Sequence, residues 1–171
     1  MRFFLIDRID DLVPGERIRA IKVVSLAEEY LREHFPLTPV LPGVFMLEAM
    51  TQAAAWLIRV TEDFRHSLVS LKEASNVKYG KFVEPGQILE IEVNIVGQDE
   101  KTTSVRAVGS VESRTAVQAR LTLTRSNLAE IDPLLAEADQ RIVNRLREWF
   151  CSYWPQWAHM LSAGRACPSS L

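Results

Sequence analysis

The chain has 171 residues, of which 47% are hydrophobic and 25% charged, with 20 basic side chains against 22 acidic ones. That near balance, a net charge of −2, excludes nucleic-acid binding resting on bulk positive charge, and the length suits a single domain with a substantial core. Two cysteines, Cys151 and Cys167, and three histidines, His34, His66 and His159, are too scattered for a disulfide framework or a zinc-ligand pattern, so no metal is expected.

In chain order, the opening Met-Arg-Phe-Phe-Leu-Ile-Asp carries an acid too early for a secretion-signal core, which leaves the cytoplasm as the default location. Pro36, Pro39 and Pro42 fix φ and push the residues before them toward extended conformations, so 35–42 is expected as a stiff loop. Helix is allowed from about Gly43, where Val44, Phe45, Met46, Leu47, Ala49 and Met50 lead into the apolar run Ala53–Ile58. A helix apolar nearly all round is a buried one. It is no membrane span, because Glu48 and Gln52 interrupt a run already short for a bilayer. Those two residues lie four apart and, with Thr51, form one polar strip.

Leu89, Ile91, Val93 and Ile95 alternate with polar residues, which predicts a strand with one buried face. Looser alternation over 103–111 and a clear one over 117–124 add two more, with turns at 97–101 and 112–115. Three consecutive strands after one long apolar helix predict an antiparallel meander wrapped on that helix, an α+β design. The helix is too hydrophobic for one sheet to cover, so a homodimer or higher homo-oligomer is inferred. From Asp132-Pro133 the pattern turns helical, with Leu135, Ala138, Ile142, Leu146, Trp149 or Phe150, Tyr153 and Trp157 on one side. Pro133 suits a first helical turn and Pro155 a break. Three of the four tryptophans, at 149, 154 and 157, lie here, and their stripe is expected to pack on the domain or on a sister subunit rather than on a membrane surface or another partner.

The chemistry concentrates in residues 34–52. His34 titrates near neutrality and can act as a base. Glu48 stands among apolar neighbours, where the charged form is disfavoured, so it is expected as a buried acid holding its proton. The helix start at Gly43 and Val44 offers unpaired N–H groups and a positive dipole end to a carbonyl oxygen. A base, an acid and an electrophilic pocket are the parts needed to move protons on a carbonyl compound. By residue type alone a loop histidine is more often a surface residue. Glu48 is harder to dismiss, because burying an unpartnered carboxylate costs free energy.

His34-Phe-Pro, then Pro39-Val-Leu-Pro-Gly-Val44, then Glu48-Ala-Met-Thr-Gln-Ala-Ala54 resembles the active-site segment of the 3-hydroxyacyl-(acyl carrier protein) dehydratases, which have the hotdog fold. Phe4–Arg8 with Pro14–Lys22 is similar to that family's opening strands, and Asn76–Gly86 to its strand and turn after the helix; the likeness spans roughly residues 3–125. It implies a hotdog domain over 1–127, leaving a C-terminal helical extension over 128–163 and a disordered tail over 164–171. It also implies that His34 and Glu48 are the catalytic pair, meeting across a dimer interface. Gly43 N–H would hold the thioester carbonyl, with Val44, Gln52 and Leu37 around the substrate.

The implied activity converts a (3R)-hydroxyacyl thioester into the trans-2-enoyl thioester and water in fatty-acid-type, related lipid or polyketide biosynthesis. No metal or redox cofactor is needed, the acyl group arriving on the phosphopantetheine of acyl carrier protein or coenzyme A. Lys72, Lys78 and Lys81 could meet an acidic carrier, although lysines on a strand edge also serve solubility. The alternatives are a coenzyme A ester hydratase or thioesterase, and a hotdog protein that binds acyl thioesters without turnover. Two departures from the family pattern stand beside the base: Leu37 and Glu33 replace the usual glycines, removing backbone freedom and adding bulk.

Overall fold

The computed structural model describes residues 3–33 and 37–161. Six strands, β1 (Arg8–Val13), β2 (Arg17–Val23), β3 (Leu68–Tyr79), β4 (Ile88–Gln98), β5 (Thr102–Val111) and β6 (Arg114–Ser126), form one sheet in the order β1-β2-β4-β5-β6-β3 with every pair antiparallel. A single turn, α1 (Tyr30–Glu33), precedes the long helix α2 (Gly43–Thr61). The expected meander is β4-β5-β6, and β3 closes it on the far edge by pairing with β6. This is the hotdog arrangement, an α+β fold with the sheet wrapped around one helix.

Period-two burial makes the wrap possible. Leu89, Ile91 and Val93 of β4, Thr103, Val105 and Ala107 of β5, and Val117, Ala119, Leu121 and Leu123 of β6 are all buried. They join Met46, Ala49, Met50, Ala53, Ala54, Leu57 and Ile58 of α2 in one core. The small residues of α2 let the strands lie close to the helix axis. Polar residues alternate with them, and Arg19 of β2 reaches Glu92 of β4 at 3.0 Å on that other face.

α2 starts and stops where the backbone dictates. Pro42, at φ −56° and ψ 139°, is extended and donates nothing, and no side chain caps the helix start. The loop before it is pinned by Leu41 N–H to Val83 O at 2.8 Å. Beyond Thr61 the chain leaves helical space at Asp63 and Phe64, both at positive φ. Gly15, at φ +78°, turns β1 into β2 and donates its N–H to Thr61 Oγ1 at 2.7 Å, tying that hairpin to the end of α2. Residues 4–7 differ from the strand implied by resemblance: β1 begins only at Arg8, because Leu5 N–H is spent on the side chain of Gln52 instead of on a ladder.

The helical segment after the sheet runs through one 3₁₀ turn at Leu128–Glu130 and another at Pro133–Leu135 into α3 (Ala136–Tyr153), and Pro155 opens a further 3₁₀ stretch, Pro155–Met160. Its aromatic stripe packs on the same chain. Phe150 and Trp154 are buried against Trp56 and Phe64, with ring centroids 5.1–5.9 Å apart, save Trp56 to Phe64 at 6.4 Å. Trp149 and Tyr153 meet the ring of Phe4, and Trp157 donates its indole N–H to Ile9 O at 3.2 Å. Part of the apolar surplus of α2 is therefore covered from within the chain. Cys151 is buried in the last turn of α3 and is not a free thiol. No helix among the described residues is long and apolar enough to cross a membrane. The tail expected as disordered, 164–171, lies outside the described residues.

Candidate active site

Glu48 sits in the second turn of α2, and its setting corrects the expectation of a buried acid: in the single chain it is half-buried. The α2 face that carries it is turned to residues 3–4, to α3 and to Val69 on the edge strand β3 rather than to the middle of the sheet, so the apolar neighbours seen in the sequence cover the other sides of the helix. What holds Glu48 is Gln52, one turn on. Gln52 Nε2 donates to Glu48 Oε1 at 3.0 Å and to Phe3 O at 3.1 Å, while Gln52 Oε1 accepts Leu5 N–H at 2.9 Å. Two main-chain groups, a donor and an acceptor, leave this amide only one orientation. It must present N–H to Glu48, so any proton on that carboxyl belongs on Oε2. Thr51, third member of the strip, is turned to its own helix and donates to Leu47 O at 3.0 Å.

Glu48, Gln52, Ala55 and Arg59 line one cavity of about 310 Å³, walled by Phe3, Phe4, Trp56, Val69, Leu146 and Trp149. Gly43 opens on a second one, about 360 Å³, with Val40, Leu41, Met46, Tyr79, Gly80, Lys81 and Phe82. The Tyr79 ring lies against the helix start so closely that a Cβ at Gly43 would stand 2.9 Å from Tyr79 Cε1. That is why the position is glycine. Val44, 64% exposed, and Phe82, 70% exposed, leave the mouth apolar. The first N–H groups of α2 have no side-chain cap and are free to meet a carbonyl oxygen.

Gly43 and Glu48 lie five residues apart, about 140° around the helix, and a single chain does not bring them into one cavity. Leu37 is 97% exposed and lines neither. His34 lies outside the described residues. Sequence reading missed Tyr79 and Phe82, which it left inside a strand-and-turn motif, and Arg59, whose cavity depends on α3. Among the described residues, no group of three or more His, Cys, Asp and Glu side chains could hold a metal ion.

A hotdog sheet around a helix whose second-turn carboxyl is oriented by a Gln one turn on, behind a Pro-Gly helix start, defines the class, and the chain belongs to the FabA-like family: the model of the FabA-like domain matches residues 1–120. Among curated relatives, the 3-hydroxyacyl-(acyl-carrier-protein) dehydratase FabZ of Levilactobacillus brevis is 36% identical over 136 residues, 80% of this chain and 85% of that protein. The FabZ of Erythrobacter litoralis is 38% identical over 120 residues, covering 69% and 80%. Of solved structures, the dehydratase heterocomplex ApeI:P from Xenorhabdus doucetiae aligns at a TM-score of 0.63 with 23% identity, over 78% of this chain and 90% of that one. The smu.793 protein of Streptococcus mutans, solved with acetyl CoA, aligns at 0.57 with 15% identity, over 74% and 93%, and carries the fold alone.

Proposed function

We infer that the chain is a hydro-lyase that dehydrates (3R)-hydroxyacyl thioesters to trans-2-enoyl thioesters in fatty-acid-type or related lipid or polyketide synthesis. The observation that carries this is the setting of Glu48: it lines the cavity, and Gln52 donates to Oε1, which leaves Oε2 to carry a proton. His34 takes the proton from C2, which the polarised thioester makes acidic. The C2–H electron pair becomes the C2–C3 double bond as the C3–O bond breaks, and the leaving hydroxyl takes the Glu48 proton to depart as water. Gly43 N–H, at an uncapped helix start, stabilises the enolate oxygen. His34 passes its proton back to Glu48 to complete the cycle.

Gly43 and Glu48 facing separate cavities of one chain favours a site assembled between two copies, with His34 of one opposite Glu48 of the other. Strand β3 is an edge, and Val44, Tyr79 and Phe82 leave apolar surface beside it for a partner to cover. Lys81 lines that apolar mouth, a placement suited to an acidic acyl carrier protein delivering its phosphopantetheine arm in the cytoplasm, with Lys72 and Lys78 exposed on the edge strand β3. Leu37, exposed in one chain, is read as trimming the pocket where two copies meet. The sheet-and-helix unit over 1–127 is the catalytic domain and 128–163 its extension.

The test follows the loss of conjugated absorbance when enoyl thioesters on acyl carrier protein and on coenzyme A are offered for hydration. Wild type should hydrate them. His34→Ala and Glu48→Gln should each lose roughly 10²–10⁴ in rate, the usual contribution of a positioned base or acid. Release of free thiol instead would identify a thioesterase, and full activity in His34→Ala would overturn the mechanism.

A further inference from the structure

The cavity beside Glu48 has an end the dehydration does not use. Positions 48, 52, 55 and 59 are spaced by four, three and four residues, which aligns them in one stripe along α2. All four line the same cavity. Ala55 is its low floor, and Phe4, Val69 and Trp149 are apolar walls. At the far end stands Arg59, mostly buried, its Nε atom without a hydrogen-bond partner. Its guanidinium carbon lies over the Trp56 ring, 5.3 Å from the centroid, within cation–π range. No carboxylate among the described residues pairs with it; burial alone pulls its pKa down to about 10, still charged at neutral pH.

A groove for a plain alkyl chain would end in apolar side chains, since a methyl terminus pressed on a guanidinium buries the cation further without an anion. A guanidinium lying over an aromatic ring, its Nε enclosed and its terminal nitrogens without a hydrogen-bond partner among the described residues, offers the planar fork that takes a carboxylate through two parallel hydrogen bonds. We propose that Arg59 reads the distal end of the acyl chain, so that the groove from Glu48 takes thioesters whose far terminus is a carboxylate. This rests on the dehydratase reading, which puts the reacting carbons at Glu48.

The dimensions agree. Eleven residues of helix rise about 16 Å, and the Arg59 side chain leans back toward the helix start, which leaves about 10–16 Å between the charged ends. With C–C bonds of about 1.5 Å in zigzag, that is roughly eight to twelve carbons. A volume of about 310 Å³ holds about ten groups at roughly 30 Å³ each. The walls Leu146 and Trp149 belong to the extension, beyond the residues matched by the family model, so one wall of this groove lies outside the matched domain.

The test compares trans-2-decenoyl and ω-carboxy-trans-2-decenoyl thioesters of pantetheine. Wild type should hydrate the ω-carboxylated one with kcat/KM at least tenfold higher. Arg59→Met should bring the ratio to one or below, and Arg59→Lys should keep part of it. Equal or lower turnover of the ω-carboxylated thioester by wild type, with the plain one accepted, would overturn the proposal and leave the dehydratase reading standing. If neither thioester is hydrated, that reading fails, and calorimetric binding of the two saturated thioesters decides: tighter binding of the ω-carboxylated one, lost in Arg59→Met, supports the proposal, and equal binding refutes it.

Discussion

Replacing Gln52 with alanine tests whether one amide both holds the N-terminal segment and aims the catalytic acid. The side chain makes three hydrogen bonds, at 2.9, 3.1 and 3.0 Å. Leu5 is fully buried, so its N–H would lose its partner with no water to replace it, at about 1–3 kcal/mol; loss of the bond to Phe3 O adds about 0.5–1.5 kcal/mol. The sum, about 1.5–4.5 kcal/mol, lowers Tm by roughly 3–18 °C in a chain of this length. Activity should suffer separately. A catalytic group displaced by about 1 Å costs on the order of 10² in rate, and here kcat should fall with little change in KM. Gln52→Glu separates the two effects: it keeps the acceptor for Leu5 N–H and removes the donor to Glu48. It should recover part of the lost Tm and none of the lost kcat. Thermal scans with enoyl-thioester hydration kinetics read both. Wild-type Tm and kcat in Gln52→Ala would refute the reasoning, and kcat restored in Gln52→Glu would refute the orienting role alone.

Gly43→Ala should push the Tyr79 ring from the helix start and raise KM, and adding Tyr79→Ala in the same chain should return most of the lost kcat/KM. Phe150→Ala removes a fully buried ring from the Trp56, Phe64 and Trp154 cluster; a loss of about 3–5 kcal/mol, hence roughly 6–20 °C in Tm, is expected by scanning calorimetry. Asp139 anchors the extension. Its burial pushes the carboxyl up, but hydrogen bonds from Ser67 Oγ and the Ala129 and Leu128 N–H groups outweigh this and hold it below the usual range. Its stabilisation is complete above the ordinary carboxylate pKa of about 4 and drains as pH falls through the lower folded value. Asp139→Asn should therefore lower Tm at neutral pH and flatten the acid limb of the Tm–pH curve; an unchanged limb would show that Asp139 does not set it.

Local signals were strong for the framework. Pro42-Gly43 marks the start of α2 because proline forbids helix before it, and the alternation of Leu89, Ile91 and Val93 marks β4 because one sheet face is buried. Three-dimensional cover was not legible. The apolar run around Glu48 pointed to a buried acid, yet a helix has several sides, and which one a carboxylate takes depends on partners distant in sequence. Gln52 appeared as a polar neighbour, while its hold on Leu5 and Phe3 arises from a contact across 47 residues. Arg59 carries no signal in the sequence that sets it apart from other basic residues. Only the arrival of Leu146 and Trp149 turns its surroundings into a groove. The Trp-rich stripe was legible as a packing surface, but not the choice of its own chain as the partner.

The stitching of residues 3–9 to residues 149–157 has a consequence for the birth of the protein. Phe4 and Ile9 are made some 145 residues before Trp149, Tyr153 and Trp157, which cover them. At about 5–20 residues per second, the 80 residues between Val69 and Trp149 take roughly 4–16 seconds, during which the groove beside Glu48 lacks a wall. A nascent chain can assemble its meander in that interval while Trp56 and Phe64 wait uncovered, the period when a chaperone would find its clearest target. The arrival of α3 then covers Trp56 and Phe64 with Phe150 and gives the groove its Leu146 and Trp149 wall.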